Sequence, residues 1–231
     1  MKVGIMQPYF FPYIGYFQLI NAVDKFILYE DVNYKKNGWI NRNNILIDGK
    51  SVLFSVPLKG ISQNKKINEV FMLNEISWKK KILTTIYQNY KKAPFCDSVY
   101  PLIDQIIHFE ANTISEFNYN QIKLICHYLQ LSTEISSSIL CKNQALKGQE
   151  RILDICKKEK ANEYVNPIGG INLYDKNLFL QEGLKLNFLK SEEVKYTQFN
   201  NTFVPNLSII DILMFNSRKD VNVMLDEYEL I

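Results

Sequence analysis

Apolar positions along this chain change period several times, and each change marks an element. Val3-Gly4-Ile5-Met6 is a continuous apolar run halted by Gln7-Pro8, the pattern of a short buried strand. From Tyr16 to Val23 the spacing turns helical, with Phe17, Ile20 and Val23 on one side, and Asp24-Lys25 leads into a second run, Phe26-Ile27-Leu28-Tyr29. Strand, shaped loop, helix and strand over about thirty residues predict a parallel βαβ unit with a right-handed crossover.

Beyond it, Ile45-Leu46-Ile47 and Val52 to Leu58 flank Asp48-Gly49, the turn signal of a β-hairpin, and polar Lys59 to Lys66 reads as an exposed loop. Residues 77–131 are helical in pattern: Trp78, Ile82, Ile86 and Tyr90 share a face, and Val99 to Phe109 and Ile114 to Leu131 are two further amphipathic segments, punctuated by Pro94 and Pro101. A helical insertion or cap over the sheet is expected there. Thr133 to Leu140 returns to strand-like residues, Gly148 to Lys160 to a helix, Glu163 to Asn166 to a strand, Lys176 to Glu182 to a helix and Leu186 to Leu189 to a strand. This rhythm predicts one α/β domain over residues 1–231, a Rossmann-like parallel sheet core with a β-hairpin and a helical insertion.

Composition narrows the function classes. With 47% hydrophobic and 22% charged residues, the 231-residue chain has the balance of a soluble globular protein. A net charge of +3, made of scattered lysines, lacks the clustering of a nucleic-acid or membrane footprint. Gln7, Pro8 and Pro12 interrupt the apolar N-terminus before it resembles a signal peptide, no apolar run is long enough for a membrane span, and a cytoplasmic location in a bacterium is expected. Cys96, Cys126, Cys141 and Cys156 form no CxxC pair and suit buried free thiols, and His108 and His127 lack ligand spacing to any of them, so no metal is expected.

In an open parallel sheet, ligands lie beyond the carboxyl ends of the strands, which selects three loops. Gln7 to Gly15 joins a carboxamide to Tyr9, Tyr13 and Tyr16, whose rings and hydroxyls suit a sugar or a base; the same aromatics also suit packing of the loop on the sheet. Asp31, Tyr34, Lys35, Trp39, Asn41 and Arg42 follow the second strand. Arginine is scarce here, so Arg42 suggests either a bidentate contact to an anion or a bridge to Asp31. Asn166-Pro167-Ile168-Gly169-Gly170 offers backbone N–H groups or a plain turn, and Ser136-Ser137-Ser138 offers hydroxyls to a phosphate or caps to a helix. Near the C-terminus, Phe203 and Pro205 are candidates to close a pocket, and Ser208 before Ile209-Ile210-Asp211 reads as a helix start.

Met6-Gln7-Pro8-Tyr9-Phe10-Phe11-Pro12-Tyr13-Ile14-Gly15-Tyr16, Gly38-Trp39-Ile40-Asn41-Arg42-Asn43 and Phe203-Val204-Pro205-Asn206-Leu207-Ser208-Ile209-Ile210-Asp211-Ile212-Leu213 together resemble the WbqC-like proteins over nearly the whole chain. The resemblance implies a setting in bacterial surface-polysaccharide (O-antigen, lipopolysaccharide) biosynthesis, and transfer of a glycine-type or other acyl group to a nucleotide-linked amino sugar. It marks Gln7, Pro8, Tyr9, Pro12, Gly15, Tyr16, Trp39, Asn41, Arg42 and Asp211 as family-pattern positions. A more distant likeness, to the layout of the HIGH-motif nucleotidylyltransferases, lacks their histidines; Pro12 to Tyr16 stand in that place.

The expected chemistry is an N-acyl or aminoacyl transferase whose partners are the amino-sugar nucleotide and an acyl donor, with no cofactor assigned. Gln7 would polarise the acyl carbonyl, Asp31 would act as base, and Arg42 with Lys59 would hold the diphosphate. Tyr9, Tyr16 and Trp39 would stack on base or sugar, with Tyr34, Lys35, Asn41, Asn166, Gly169 and Gly170 completing the pocket. The alternative is a non-catalytic nucleotide-sugar binding module that assists a neighbouring enzyme.

Overall fold

Strand β1 (Lys2–Met6) divides its residues between two layers. Val3 and Ile5 enter one core, while Gly4 lies against Leu19, Val23 and Phe26 in the other. The computed structural model, which describes residues 1–73, 75–199 and 202–231, repeats this alternation along the sheet. In β2 (Lys25–Leu28), Phe26 and Leu28 face the first core and Ile27 the second. Period-two alternation of apolar residues on both faces is what a doubly covered parallel sheet demands.

The sheet runs β7-β2-β1-β8-β9-β10, where β7 is Glu134–Ser137, β8 Glu163–Pro167, β9 Lys185–Ser191 and β10 Tyr228–Leu230. All neighbours are parallel except β10, which is antiparallel to β9. The chain builds outward from β1 in one direction and then returns to build outward in the other, the Rossmann-like order, with its switch point between β1 and β8. Helix α1 (Ile14–Asn21) lies on the first face, while α5 (Gly148–Lys158) and α6 (Lys176–Gln181) supply Ile152, Leu153, Ile155 and Phe179 to the second core.

The hairpin pairs β3 (Arg42–Ile47) with β4 (Lys50–Ser55) through Asp48-Gly49, both at positive φ, the two-residue turn whose twist suits the strands. Helices α2 (Ile76–Tyr90), α3 (Cys96–His108) and α4 (Ile114–Leu129) follow and bury Ile86, Tyr90, Val99, Ile106, Phe117 and Ile122 against the first core. Each such side chain contributes about 1.5–3 kcal/mol relative to exposure. Thr113 accepts from the Glu116 amide while Glu116 accepts from the Thr113 amide, a capping box that starts α4. All four cysteines are buried free thiols.

Several elements depart from the sequence expectation. Pro101 lies inside α3, which begins at Cys96; the carbonyl left without its usual donor belongs to Asp97, an exposed residue in the first turn. The polar segment after residue 58 is tied down, with β5 (Leu58–Lys59) paired to β6 (Phe71–Met72), Tyr34 N donating to Lys65 O at 2.8 Å and Ile67 N to Val32 O at 2.9 Å. Fully buried Ile67 and Val70 anchor it. The strand after residue 133 ends at Ser137, whose hydroxyl accepts from Ile139 N and turns the chain into a 3-10 helix. Helices α7 (Ile209–Phe215) and α8 (Arg218–Met224) lead to β10; Ser208 caps α7 as expected, whereas α8 and β10 carry too few apolar residues to be read in advance.

Candidate functional site

At the switch point β1 and β8 separate. Their pairing stops at Gly4 and Val165, although β1 continues beside β2 to Met6 and β8 beside β9 to Pro167. The loops leaving these two strands therefore diverge at the carboxyl edge, where parallel sheets hold ligands.

The opening loop is fixed by carboxamides. Asn118 donates to Pro8 O (3.0 Å) and Ile40 O (2.8 Å), Gln121 to Tyr9 O (3.1 Å), and Asn43 to Phe10 O (3.1 Å) and Phe11 O (2.7 Å). Phe10 and Phe11 are core residues packed on Phe54, and Phe11 adopts φ 39°, a left-handed conformation that an aromatic residue holds only under external constraint. Tyr16 is buried and donates to Gln7 O at 2.9 Å, and the Tyr9 ring centre lies 5.6 Å from that of Tyr16. The buried Tyr16 is thus a support beneath Tyr9. Gln7 is half-buried, with no side-chain hydrogen bond among the described residues.

In the second loop the expected trio separates. Asp31 bonds Arg151 Nη2 and Ser138 Oγ, each at 2.5 Å, and not Arg42. Arg151 also stands 4.8 Å from the Tyr29 ring centre and donates to Asn143 at 3.0 Å. Burial alone would raise the Asp31 carboxyl, but the Ser138 and Arg151 hydrogen bonds and the Arg151 charge outweigh it and hold the group below the usual carboxylate value. A buried carboxylate committed to an arginine and a serine is an anchor in this geometry, and among the described residues it lines neither the Arg42 groove nor any cavity with Gln7. Arg42 instead holds its own loop, donating to Gly38 O at 3.2 Å and to the Asn37 carbonyl.

Tyr34 donates to Asn41 at 2.9 Å, and both line a surface groove with Arg42 that includes neither Gln7 nor Asp31. Lys35 and Trp39 are exposed, and Lys59 lies in a separate groove with Lys65. Beyond β8, Gly169 and Gly170 sit in a 3-10 helix. A Cβ on Gly170 would fall 1.9 Å from Asn166 Nδ2, so this glycine makes room for the carboxamide that accepts from Tyr164 at 2.9 Å. The serine run also changes meaning: Ser137 and Ser138 donate to Glu30 and Asp31, and two carboxylates there disfavour a phosphate.

The opening and closing motifs meet around a different feature, a cavity of about 320 Å³ at the first turn of α1. Tyr13, Ile14 and Gly15 form one wall, Ser191, Glu192 and Glu193 at the end of β9 a second, and Tyr196, Phe203, Pro205 and Asn206 a third. Tyr13 at the N-cap gives α1 no side-chain cap, so the electropositive first turn borders the cavity without a capping oxygen. Gly15 is required by space: its Cβ would lie 2.5 Å from the Tyr13 ring and 2.7 Å from Ser191 Oγ. Burial raises the Tyr13 phenol, which remains an O–H donor.

The third wall is held from below by Asp211. Tyr90 (2.7 Å), Tyr196 (2.6 Å) and Gln198 (2.7 Å) all donate to its carboxylate, and Gln198 then clasps Val204 through its amide (2.7 Å) and carbonyl (3.0 Å). Burial pushes the Asp211 carboxyl above its ordinary value, against the three donors, which pull it down. Burial and the Asp211 charge push the Tyr196 phenol well up.

Sequence reasoning weighed Tyr13 with Tyr9 and Tyr16 but assigned roles to Tyr9, Tyr16, Trp39 and Arg42, and it passed over Ser191, Glu192, Glu193 and Asn206 as site residues. Gly15 and Phe203 were the available signals, but nothing local connects residue 15 to residue 191. Among the described residues no cluster of metal-ligating side chains forms, and no helix is long and apolar enough to cross a membrane.

Strand order and the separated β1 and β8 pair define a Rossmann-like α/β protein, with a cavity of ligand size at the start of α1. The chain belongs to the WbqC-like protein family, whose model matches residues 7–223 and so spans both motifs. It is similar to "Uncharacterized protein Rv1507c" of Mycobacterium tuberculosis, at 29% identity over 216 residues that cover 92% of each chain. No solved structure is significantly similar.

Proposed function

We propose that this protein acts in bacterial surface-polysaccharide biosynthesis, transferring an acyl or aminoacyl group to the amino group of a nucleotide-linked amino sugar bound in the α1 cavity. One observation carries this reading: a single cavity joins the electropositive first turn of α1 to Glu192 and to Glu193, whose exposed salt bridge with Lys195 (3.0 Å) a ligand ammonium would replace. A ligand carrying both an anionic group and an amine is complementary to that pair. Family membership supplies the polysaccharide setting.

In this reading Glu192 and Glu193 hold the sugar ammonium; one of them first takes a proton from it, the freed amine lone pair attacks the acyl carbonyl carbon, and the second N–H proton lost on amide formation passes to the leaving group. The new C–N bond forms as the bond to the leaving group breaks, and the leaving group departs with that electron pair. First-turn amides of α1 face the anionic portion, Phe203 and Tyr13 flank the sugar ring, and Asn206 reaches its hydroxyls. Gln7, whose carboxamide has no hydrogen bond within the described residues, lies outside the lining of this cavity and takes no part in this reading. Asp31 and Arg151 keep the β2 loop in place.

The test is incubation of the protein with nucleotide-linked amino sugars and candidate donors, including acyl thioesters and glycine with ATP, followed by mass analysis. An amide-bearing product that disappears in the Glu192→Gln, Glu193→Gln double variant supports the transfer. Binding without any product assigns the cavity to a nucleotide-sugar binding module, and absence of both refutes the site.

A further inference from the structure

Two adjacent carboxylates follow β2, and the protein treats them in opposite ways. Asp31 is neutralised by Arg151. Glu30, only 7% exposed, accepts from the Ser115 and Ser137 hydroxyls, both neutral, and no Lys, Arg or His nitrogen among the described residues lies within ion-pair distance of it. Two hydroxyls use about half of the lone-pair sites of a carboxylate.

Glu30 lines a groove of about 730 Å³, on the opposite flank of the sheet from the α1 cavity. Phe109, Tyr119, Leu124 and Ile139 give it apolar walls. Its volume falls within the usual range for small-molecule sites, and so does its make-up, apolar walls around a few polar groups. The other charged groups on the lining are engaged elsewhere. Glu116 accepts from Asn112 N at 2.8 Å to begin α4, and the Lys123 ammonium stands 5.5 Å from the Tyr119 ring centre. Apart from His127, two carboxylates face one ammonium, so the rest of the lining is net negative.

We propose that this groove is a second binding site, selective for a primary ammonium ion carried on an apolar body. The ammonium donates to the lone pairs of Glu30 that the serine hydroxyls leave unused, and the body covers Phe109, Leu124 and Ile139. An amine has three N–H donors for this purpose; an alcohol of the same shape has one donor and no charge, and a carboxylate is repelled. The site is independent of the transfer reaction proposed for the α1 cavity.

Calorimetric titration of the full chain at neutral pH with hexylammonium, hexanol and hexanoate tests it. Hexylammonium is expected to bind at least ten times more tightly than either of the others. Glu30→Gln is expected to remove that preference while leaving hexanol binding unchanged. If that variant fails to fold, Ile139→Trp at the exposed rim is the substitute; it fills the groove and is expected to abolish hexylammonium binding. Glu193→Gln is expected to leave hexylammonium binding as it is, which separates this site from the α1 cavity. Equal affinity for hexylammonium and hexanol, preference for hexanoate, hexylammonium binding that survives Ile139→Trp, or no binding of any of the three overturns the proposal.

Discussion

Tyr196 donates its hydroxyl to the buried carboxylate of Asp211 at 2.6 Å, and so joins the wall of the α1 cavity to the core of the closing motif. The same carboxylate receives Gln198, which clasps both backbone polar groups of Val204. Asp211 is therefore a positioning residue that shapes the cavity without lining it. Tyr196→Phe is expected to destabilise the fold by about 1–3 kcal/mol, the cost of leaving a buried acceptor short of a donor, and Asp211→Ala by about 2–4 kcal/mol, because three donors lose their acceptor together. Urea titration of the three proteins measures both.

Asp31 and Asp211 should oppose each other in pH dependence. The folded Asp31 carboxyl lies below its ordinary value, so its contribution is complete above the unfolded value and fades as pH falls through the folded one. The folded Asp211 carboxyl lies above its ordinary value, so its contribution is complete below the unfolded value and fades as pH rises through the folded one. Denaturation from about pH 3 to pH 7 should show the stability gap between wild type and Asp31→Asn widening with pH, and the gap for Asp211→Asn narrowing. Two gaps moving in the same direction would contradict these assignments.

Arg151→Met is expected to cost about 3–5 kcal/mol because it leaves Asp31 buried and unpaired, with part of the loss recovered in the Arg151→Met, Asp31→Asn double variant. A double-mutant cycle in guanidinium chloride gives the coupling. Additive losses would mean that the two side chains do not act as a pair.

The two carbonyls held by Asn43 belong to Phe10 and to the strained Phe11. Asn43→Ala should destabilise by about 2–3 kcal/mol through these unsatisfied groups. Phe11→Gly removes the left-handed strain but also a core ring, and is expected to destabilise by about 3–5 kcal/mol, since the lost burial outweighs the strain relieved. Thermal unfolding of both variants decides whether the motif is a scaffold, as the carboxamide cradle implies.

Much of the fold was legible because it depends on local period. The first βαβ unit, the Asp48-Gly49 hairpin and the helices between residues 76 and 129 follow from spacing and turn chemistry alone. Boundaries failed where a side chain intervened, as at Ser137. The site was less legible, because its walls come from the start of α1, the end of β9 and the segment before α7, which only the tertiary fold unites. Scarcity of arginine was a sound signal applied to the wrong residue: Arg151 is the buried partner of Asp31, donating to one carboxylate oxygen and to the backbone carbonyl, whereas Arg42 braces its own turn. Aromatic density misled for a related reason, since Phe10 and Phe11 are core and Tyr16 is buried against Phe17 and Phe26.

Gly15→Ala probes the cavity with one methyl group. The new Cβ would meet the Tyr13 ring at 2.5 Å and Ser191 Oγ at 2.7 Å, so these two side chains, both on the cavity lining, must shift. Stability should fall by about 1–3 kcal/mol, and affinity for a nucleotide-linked amino sugar by ten times or more. Ligand affinity equal to wild type in a folded Gly15→Ala protein would place the ligand elsewhere.

The most direct measurement is a calorimetric titration of the wild-type chain with a nucleotide-linked amino sugar and with its N-acetylated counterpart, repeated on the Glu192→Gln, Glu193→Gln double variant. Wild type should bind the free amine at least ten times more tightly than the acetylated form, and the double variant should bind both alike. Equal binding of the two ligands to wild type, or a preference that survives loss of both glutamates, would contradict the α1 cavity as an amino-sugar site.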